Sequence, residues 1–73
     1  MKFQYKKFSD AITDKMFKAM ATKKQKIGLR GFSDEIGIGY ATLSRILNGQ
    51  KMDVDTMLKI CDWLGKKVDD FVK

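Results

Sequence analysis

Two short amphipathic stretches, residues 28–36 and 40–47, are separated by only three residues, and glycine occupies positions 37 and 39 between them. That spacing constrains the chain more than any other feature. In the first stretch Leu29, Phe32, Ser33 and Ile36 share one side at helical spacing; in the second Leu43, Ile46 and Leu47 do so. Gly37 is expected to end the first helix, because glycine takes the left-handed conformation at no steric cost. Asn48-Gly49 is expected to stop the second. Ile38 is left as an apolar plug between them, and the small Ser33 lets the helices cross closely. Two short helices joined by so tight a glycine-bearing turn form a helix-turn-helix.

Helical spacing continues on both sides. Phe8, Ala11, Ile12, Met16, Ala19 and Met20 form one stripe of a first helix over about residues 6–21. Ser9 or Asp10 would cap it if it began late. The leading "KFQYKKF" alternates apolar and polar residues, as a short arm over residues 1–6 or as the first helical turn. Lys15, Lys18, Lys23 and Lys24 lie off the stripe and are expected to face water, and "ATKKQKIG" breaks the pattern. After the helix-turn-helix, Asp53 is a good N-cap and Asp55 suits a helix N-terminus. Val54, Met57, Leu58, Cys61 and Leu64 then form a core stripe, Ile60 and Trp63 a second strip beside it, and Gly65 closes the helix. "KKVDDFVK" makes a last turn carrying Val68, Phe71 and Val72. The fold class is therefore all-α. With no proline, repeat or linker, residues 1–73 form one domain with the helix-turn-helix at about 28–48.

A domain of 73 residues buries roughly 60% of its unfolded surface, and its core supplies about 3–5 kcal/mol. That leaves room for one core and one flat site, and little for a deep catalytic cleft. The chain has no histidine and one cysteine, which excludes an internal disulfide and the usual zinc sets. Cys61 lies within an apolar pattern and is expected to be a buried core thiol. No catalytic residue, metal, cofactor or small-molecule ligand is expected. The absence of an apolar run near 18 residues, and a charged, aromatic start unlike a signal peptide, place the chain in the cytoplasm as an expectation.

Net charge is +6 and unevenly placed. Residues 1–30 carry nine basic and two acidic groups, residues 31–73 six and seven. Such asymmetry favours a polyanion, although a lysine-rich surface also serves solubility. The outward face of the 40–47 helix consists of Tyr40, Ala41, Thr42, Ser44 and Arg45, with no acid. A slim first turn of this kind fits the major groove. Ala41 and the Thr42 methyl suit a thymine methyl, the Thr42 hydroxyl bonds either base type, and Arg45 forks onto guanine. Tyr40 stacks or reaches a phosphate. An ordinary polar surface helix accounts for the same side chains.

"FSDEIGIGYATLSRILNG" followed by "DVDTMLKICDWLG" resembles the XRE-type helix-turn-helix proteins, the lambda-repressor and Cro-like group, from about Phe8 to Phe71. The resemblance implies a compact five-helix bundle. It implies base reading by Tyr40, Ala41, Thr42 and Arg45. It also implies phosphate binding at the start of helix two, Leu29 and Arg30, and around the end of helix three, at Ser44, Asn48, Gly49, Gln50 and Lys51. The chain departs from that pattern in four places. Gly28 and Leu29 stand where a serine cap and a phosphate-binding glutamine are common, so Arg30 or the helix amides take that task. Gly31 weakens helix two by about 0.5–1 kcal/mol against alanine. Gly39 stands where a capping Ser or Thr is common, and Leu47 where glutamate is.

The function expected is a sequence-specific double-stranded DNA-binding transcriptional regulator, repressor-like, acting as a homodimer on a pseudo-palindromic operator. Trp63, Phe71 and Val72 are the candidates for its mating surface, with core the stronger role for Trp63 and Phe71. The alternative is a protein-interaction module, an antitoxin or anti-repressor on the same fold, presenting Leu29, Tyr40 and Leu47. An enzyme has poor material here, since the acids suit helix caps and solvated faces.

Overall fold

A computed structural model of the protein describes residues 2–23 and 28–73. Four α-helices and one 3-10 turn follow in order: α1 (Tyr5–Lys23), α2 (Leu29–Ile36), α3 (Tyr40–Leu47), α4 (Val54–Leu64) and the turn Val68–Phe71. The described residues contain no strand, only an isolated antiparallel bridge between Phe3 and Val72. The break expected over residues 21–28 begins later than expected, since α1 runs on to Lys23, and residues 24–27 of it, with Lys24 and Lys26, lie outside the described residues.

Helix α1 begins earlier than its stripe suggested. The Phe8 N–H already bonds the Gln4 carbonyl at 3.0 Å. Ser9 therefore sits inside the helix and caps nothing; its hydroxyl donates back to the Lys6 carbonyl at 3.0 Å, which satisfies it despite burial. The expected arm over residues 1–6 shortens to residues 2–4, and it is pinned rather than free. Lys2 and Lys73 exchange backbone bonds at 3.3 and 2.9 Å, and the Gln4 N–H reaches the Phe71 carbonyl at 2.7 Å. The Phe3 ring meets Phe8 edge-on at 5.2 Å, and Phe8 meets Phe71 at 4.9 Å.

The core is Phe8, Ile12, Phe32, Ile36, Leu43, Ile46, Ile60, Cys61 and Phe71. Burying each such large side chain contributes about 1.5–3 kcal/mol. Helix α1 packs on α3, α4 and the 3-10 turn, and α2 on α3 and α4. On α4 the expected stripe is corrected. Val54 and Leu58 are 66% and 52% exposed, whereas Ile60 is wholly buried. The inward face is Met57, Ile60, Cys61 and Leu64, which also keeps steps of three and four. Burial pushes the Cys61 thiol up from its ordinary pKa, with a smaller push from the Asp70 carboxylate.

The fifth helix of the expected bundle is the single 3-10 turn. Asp70 accepts from the Lys67 N–H at 3.0 Å and closes it, and the chain then extends at Val72 to meet Phe3. Phe71 is core, 1% exposed, so it is no part of a mating surface. Trp63 is half-buried, edge-on to Phe32 at 6.1 Å, and its indole N–H donates to Glu35 at 3.0 Å. Lys15, expected to face water, is half-buried instead. Its ammonium sits 4.5 Å from the Trp63 ring centre and donates to the Trp63 carbonyl. A lysine stem covers apolar surface well, and a cation near a helix C-terminus is favoured.

Candidate nucleic-acid interface

The helix-turn-helix is built by local signals that reinforce one another. Gly37 takes φ 89 and ψ 33, the left-handed conformation, and its N–H returns to the Ser33 carbonyl at 2.9 Å. The Ile38 N–H shares that acceptor at 3.0 Å. Ser33 is 2% exposed, and its hydroxyl is satisfied by the Arg30 carbonyl at 2.8 Å. From α4 the Lys59 ammonium reaches the Gly37 carbonyl at 3.3 Å and ties the turn down. Leu43, fully buried, and Ile46, 2% exposed, anchor α3, while Ile38 and Leu47 pack partly buried beside them.

With that side held, the rest of α3 faces out. Ala41 and Arg45 are exposed, Tyr40 is 46% exposed, and Thr42 and Ser44 are half-buried on either flank. Asn48, Gly49, Gln50 and Lys51 follow as an exposed loop. It folds back on the helix end: the Gly49 N–H bonds the Ile46 carbonyl at 2.9 Å and the Gln50 N–H the Arg45 carbonyl at 3.1 Å. Gly49 needs its φ of 80 for that reversal. Thr42, Arg45 and Lys51 line one cleft of about 260 Å³. The expected base-facing and phosphate-facing residues thus meet there. Arg30, on the first turn of α2, lays its guanidinium 5.1 Å from the Tyr40 ring centre. It joins the start of α2 to the start of α3.

Neither helix of the motif has a side-chain cap, because Gly28 and Gly39 begin them. Helix α4 is capped: the Thr56 N–H donates to Asp53 at 3.0 Å. Hydrogen bonding from Thr56, side chain first and backbone second, holds the Asp53 carboxyl below its ordinary pKa.

Three features escaped the sequence. Asp53 and Thr56 border the same cleft as Thr42 and Arg45. Lys6, Ser9 and Asp10 line another, about 410 Å³, with Leu47, Asn48 and Gly49. These pairings join residues far apart in the chain, and no local signal announces them. Much of the positive charge on α1 has internal partners: Lys7 donates to the Asp70 carbonyl at 3.1 Å, Lys15 to Trp63, and Lys18 pairs with Asp14 at 3.0 Å.

Residues 15–73 match the family model of the Cro/C1-type HTH DNA-binding domain. The chain belongs to that family. Neither a curated protein nor a solved structure matches the chain. The all-helical architecture of the described residues agrees with the family, whose members are DNA-binding domains. Among the described residues no helix is long and apolar enough to cross a membrane.

Proposed function

We propose that this Cro/C1-type domain is a sequence-specific, double-stranded DNA-binding transcriptional regulator of the repressor kind, with α3 in the major groove. The observation that carries the proposal is the two-sidedness of α3. Leu43 and Ile46 hold it into the core, while Ala41, Thr42 and Arg45 stand outward with no acid on the helix. In this proposal Tyr40, Ala41, Thr42 and Arg45 read bases. Arg30, Ser44, Asn48, Gly49, Gln50 and Lys51 hold phosphates and supply most of the affinity through counterion release. An eight-residue helix is about 12 Å long and spans a few base pairs. A homodimer on a pseudo-palindrome, with half-sites about 34 Å apart, extends that reach.

The test is a salt titration of binding to a random duplex and to a duplex selected from a random pool. A steep salt slope on both, with a wide affinity gap between them, is expected. A flat slope, or equal affinity, overturns the proposal. The second reading, a protein-interaction module such as an antitoxin or anti-repressor, draws on one observation. Among the described residues Leu29, Leu47 and the 64%-exposed Phe17 line an apolar depression of about 380 Å³ with Thr13, Met16, Met20 and Phe32. A flat salt slope favours that reading.

A further inference from the structure

We propose that Tyr40 is a positioning residue for Arg30, and that the stacked pair forms a preorganised phosphate fork at the start of α2. The inference rests on the DNA-binding reading above and reassigns Tyr40 within it, from base reader to support.

Helix α2 opens Leu29-Arg30-Gly31 after Gly28. Arg30 is the one side chain of that turn able to donate to an anion. An exposed arginine gives up rotamer freedom when a phosphate captures it, and this opposes binding. Here part of that freedom is already lost, because the guanidinium lies 5.1 Å from the Tyr40 ring centre. A guanidinium held over the ring face by a cation–π contact keeps those N–H donors that point away from the ring available. Arg30 has no side-chain hydrogen bond or ion pair within the described protein that would occupy those donors. A planar fork of that kind matches two phosphate oxygens, which a lysine point charge does not.

The same contact limits Tyr40. One face of its ring is covered by Arg30, and Tyr40 stands at the first position of α3, beside α2. The ring, rather than the hydroxyl, makes the contact. The stack bridges the leading ends of the two motif helices across their turn. It places a cation where Gly28 and Leu29 offer no polar side chain.

The test compares wild type with Tyr40→Ala, Tyr40→Phe, Arg30→Ala, Arg30→Lys and the Arg30→Ala/Tyr40→Ala double variant. Each is titrated against the selected and the random duplex across salt, and its urea midpoint is measured alongside. Tyr40→Ala is expected to weaken both duplexes by the same factor, about 2- to 5-fold. Tyr40→Phe should bind as wild type. Arg30→Ala should lower the salt slope by about 0.9, and adding Tyr40→Ala to it should weaken binding no further. Arg30→Lys should keep the wild-type salt slope, because the charge remains, but weaken both duplexes by the same factor, because the fork is lost. Where an alanine variant loses its fold, Tyr40→Phe and Arg30→Lys still decide. A Tyr40→Ala loss confined to the selected duplex overturns the inference and returns Tyr40 to base reading. Additive single losses, or wild-type binding by Arg30→Lys, overturn it as well. These outcomes leave the DNA-binding reading intact, whereas wild type that binds neither duplex removes both.

Discussion

Helices α3 and α4 are both short, both amphipathic and both followed by a left-handed glycine, yet they begin in opposite ways. Gly39 opens α3 without a side chain, while Asp53 opens α4 and captures the Thr56 N–H. The contrast extends outward from each helix. Around α4, Lys15, Lys59, Trp63 and Glu35 take internal partners. Along α3 and its loop, the side chains of Thr42, Arg45, Gln50 and Lys51 have neither hydrogen bond nor ion pair within the described protein. One region satisfies its polar groups at home and serves as scaffold. The other leaves those side chains without partners inside the described protein.

Breaking the scaffold should have the largest effect. Phe71→Ala removes a ring 1% exposed that packs edge-on against Phe8, and should lower stability by about 3–5 kcal/mol. That approaches the whole stability of so small a domain, so circular dichroism with urea should show a largely unfolded chain. A sharp, wild-type-like transition would mean that the pinning of residues 2–4 along 71–73 is dispensable. On the opposite side, Arg45→Ala should leave the urea midpoint within error and reduce discrimination at one base pair by about 1–3 kcal/mol. Unchanged preference at every position, measured on a set of single-base duplex variants, would show that the outward face has been assigned wrongly. Lys51→Ala should weaken all duplexes alike and lower the salt slope by about 0.9.

Smaller effects sharpen the contrast between the two helix starts. Gly39 has φ −71 and ψ 148, ordinary for a serine cap, and an added Cβ would meet Thr42 at 3.6 Å, a normal contact. Gly39→Ser should therefore raise stability by about 0.5–1 kcal/mol, from the cap and from a stiffer unfolded chain. A lower urea midpoint would mean that the glycine serves some other purpose. The Asp53 cap should respond to acid. Its carboxyl is held below the ordinary 3.8 in the folded state, so its contribution is present above that value and is lost as pH falls beneath it. Asp53→Asn keeps an acceptor oxygen but not the charge. Comparing the two across acid pH should show a steeper decline in wild type, and parallel curves would remove the charge from the account.

Much of the motif was legible from residues alone. The span 40–47 and the stops at Gly37, Asn48-Gly49 and Gly65 depend on backbone preferences that act over a few residues, as does the Asp53 cap. The acid-free outward face was legible too, because Leu43 and Ile46 mark the opposite side whatever they pack against. The start of α1 was legible to within one residue, about 6 against Tyr5, but the chain alone left a late start capped by Ser9 or Asp10 open, and the packed rings of Phe3, Phe8 and Phe71 accompany the early one.

What the chain determined by itself is this set of local choices: where helices stop, which caps exist, and which side of α3 is apolar. The tertiary structure decided between options that the chain left equal. Helix α4 carries two overlapping apolar stripes, and burial against α1 and α2 selected the one through Ile60, leaving Val54 and Leu58 in water. The pinning of residues 2–4 along 71–73, the seat of Lys15 on Trp63 and the stack of Arg30 on Tyr40 were likewise settled only in three dimensions. The physical reason is range. Backbone preference acts over one helical turn, whereas burial and stacking depend on which distant surfaces arrive at the same place.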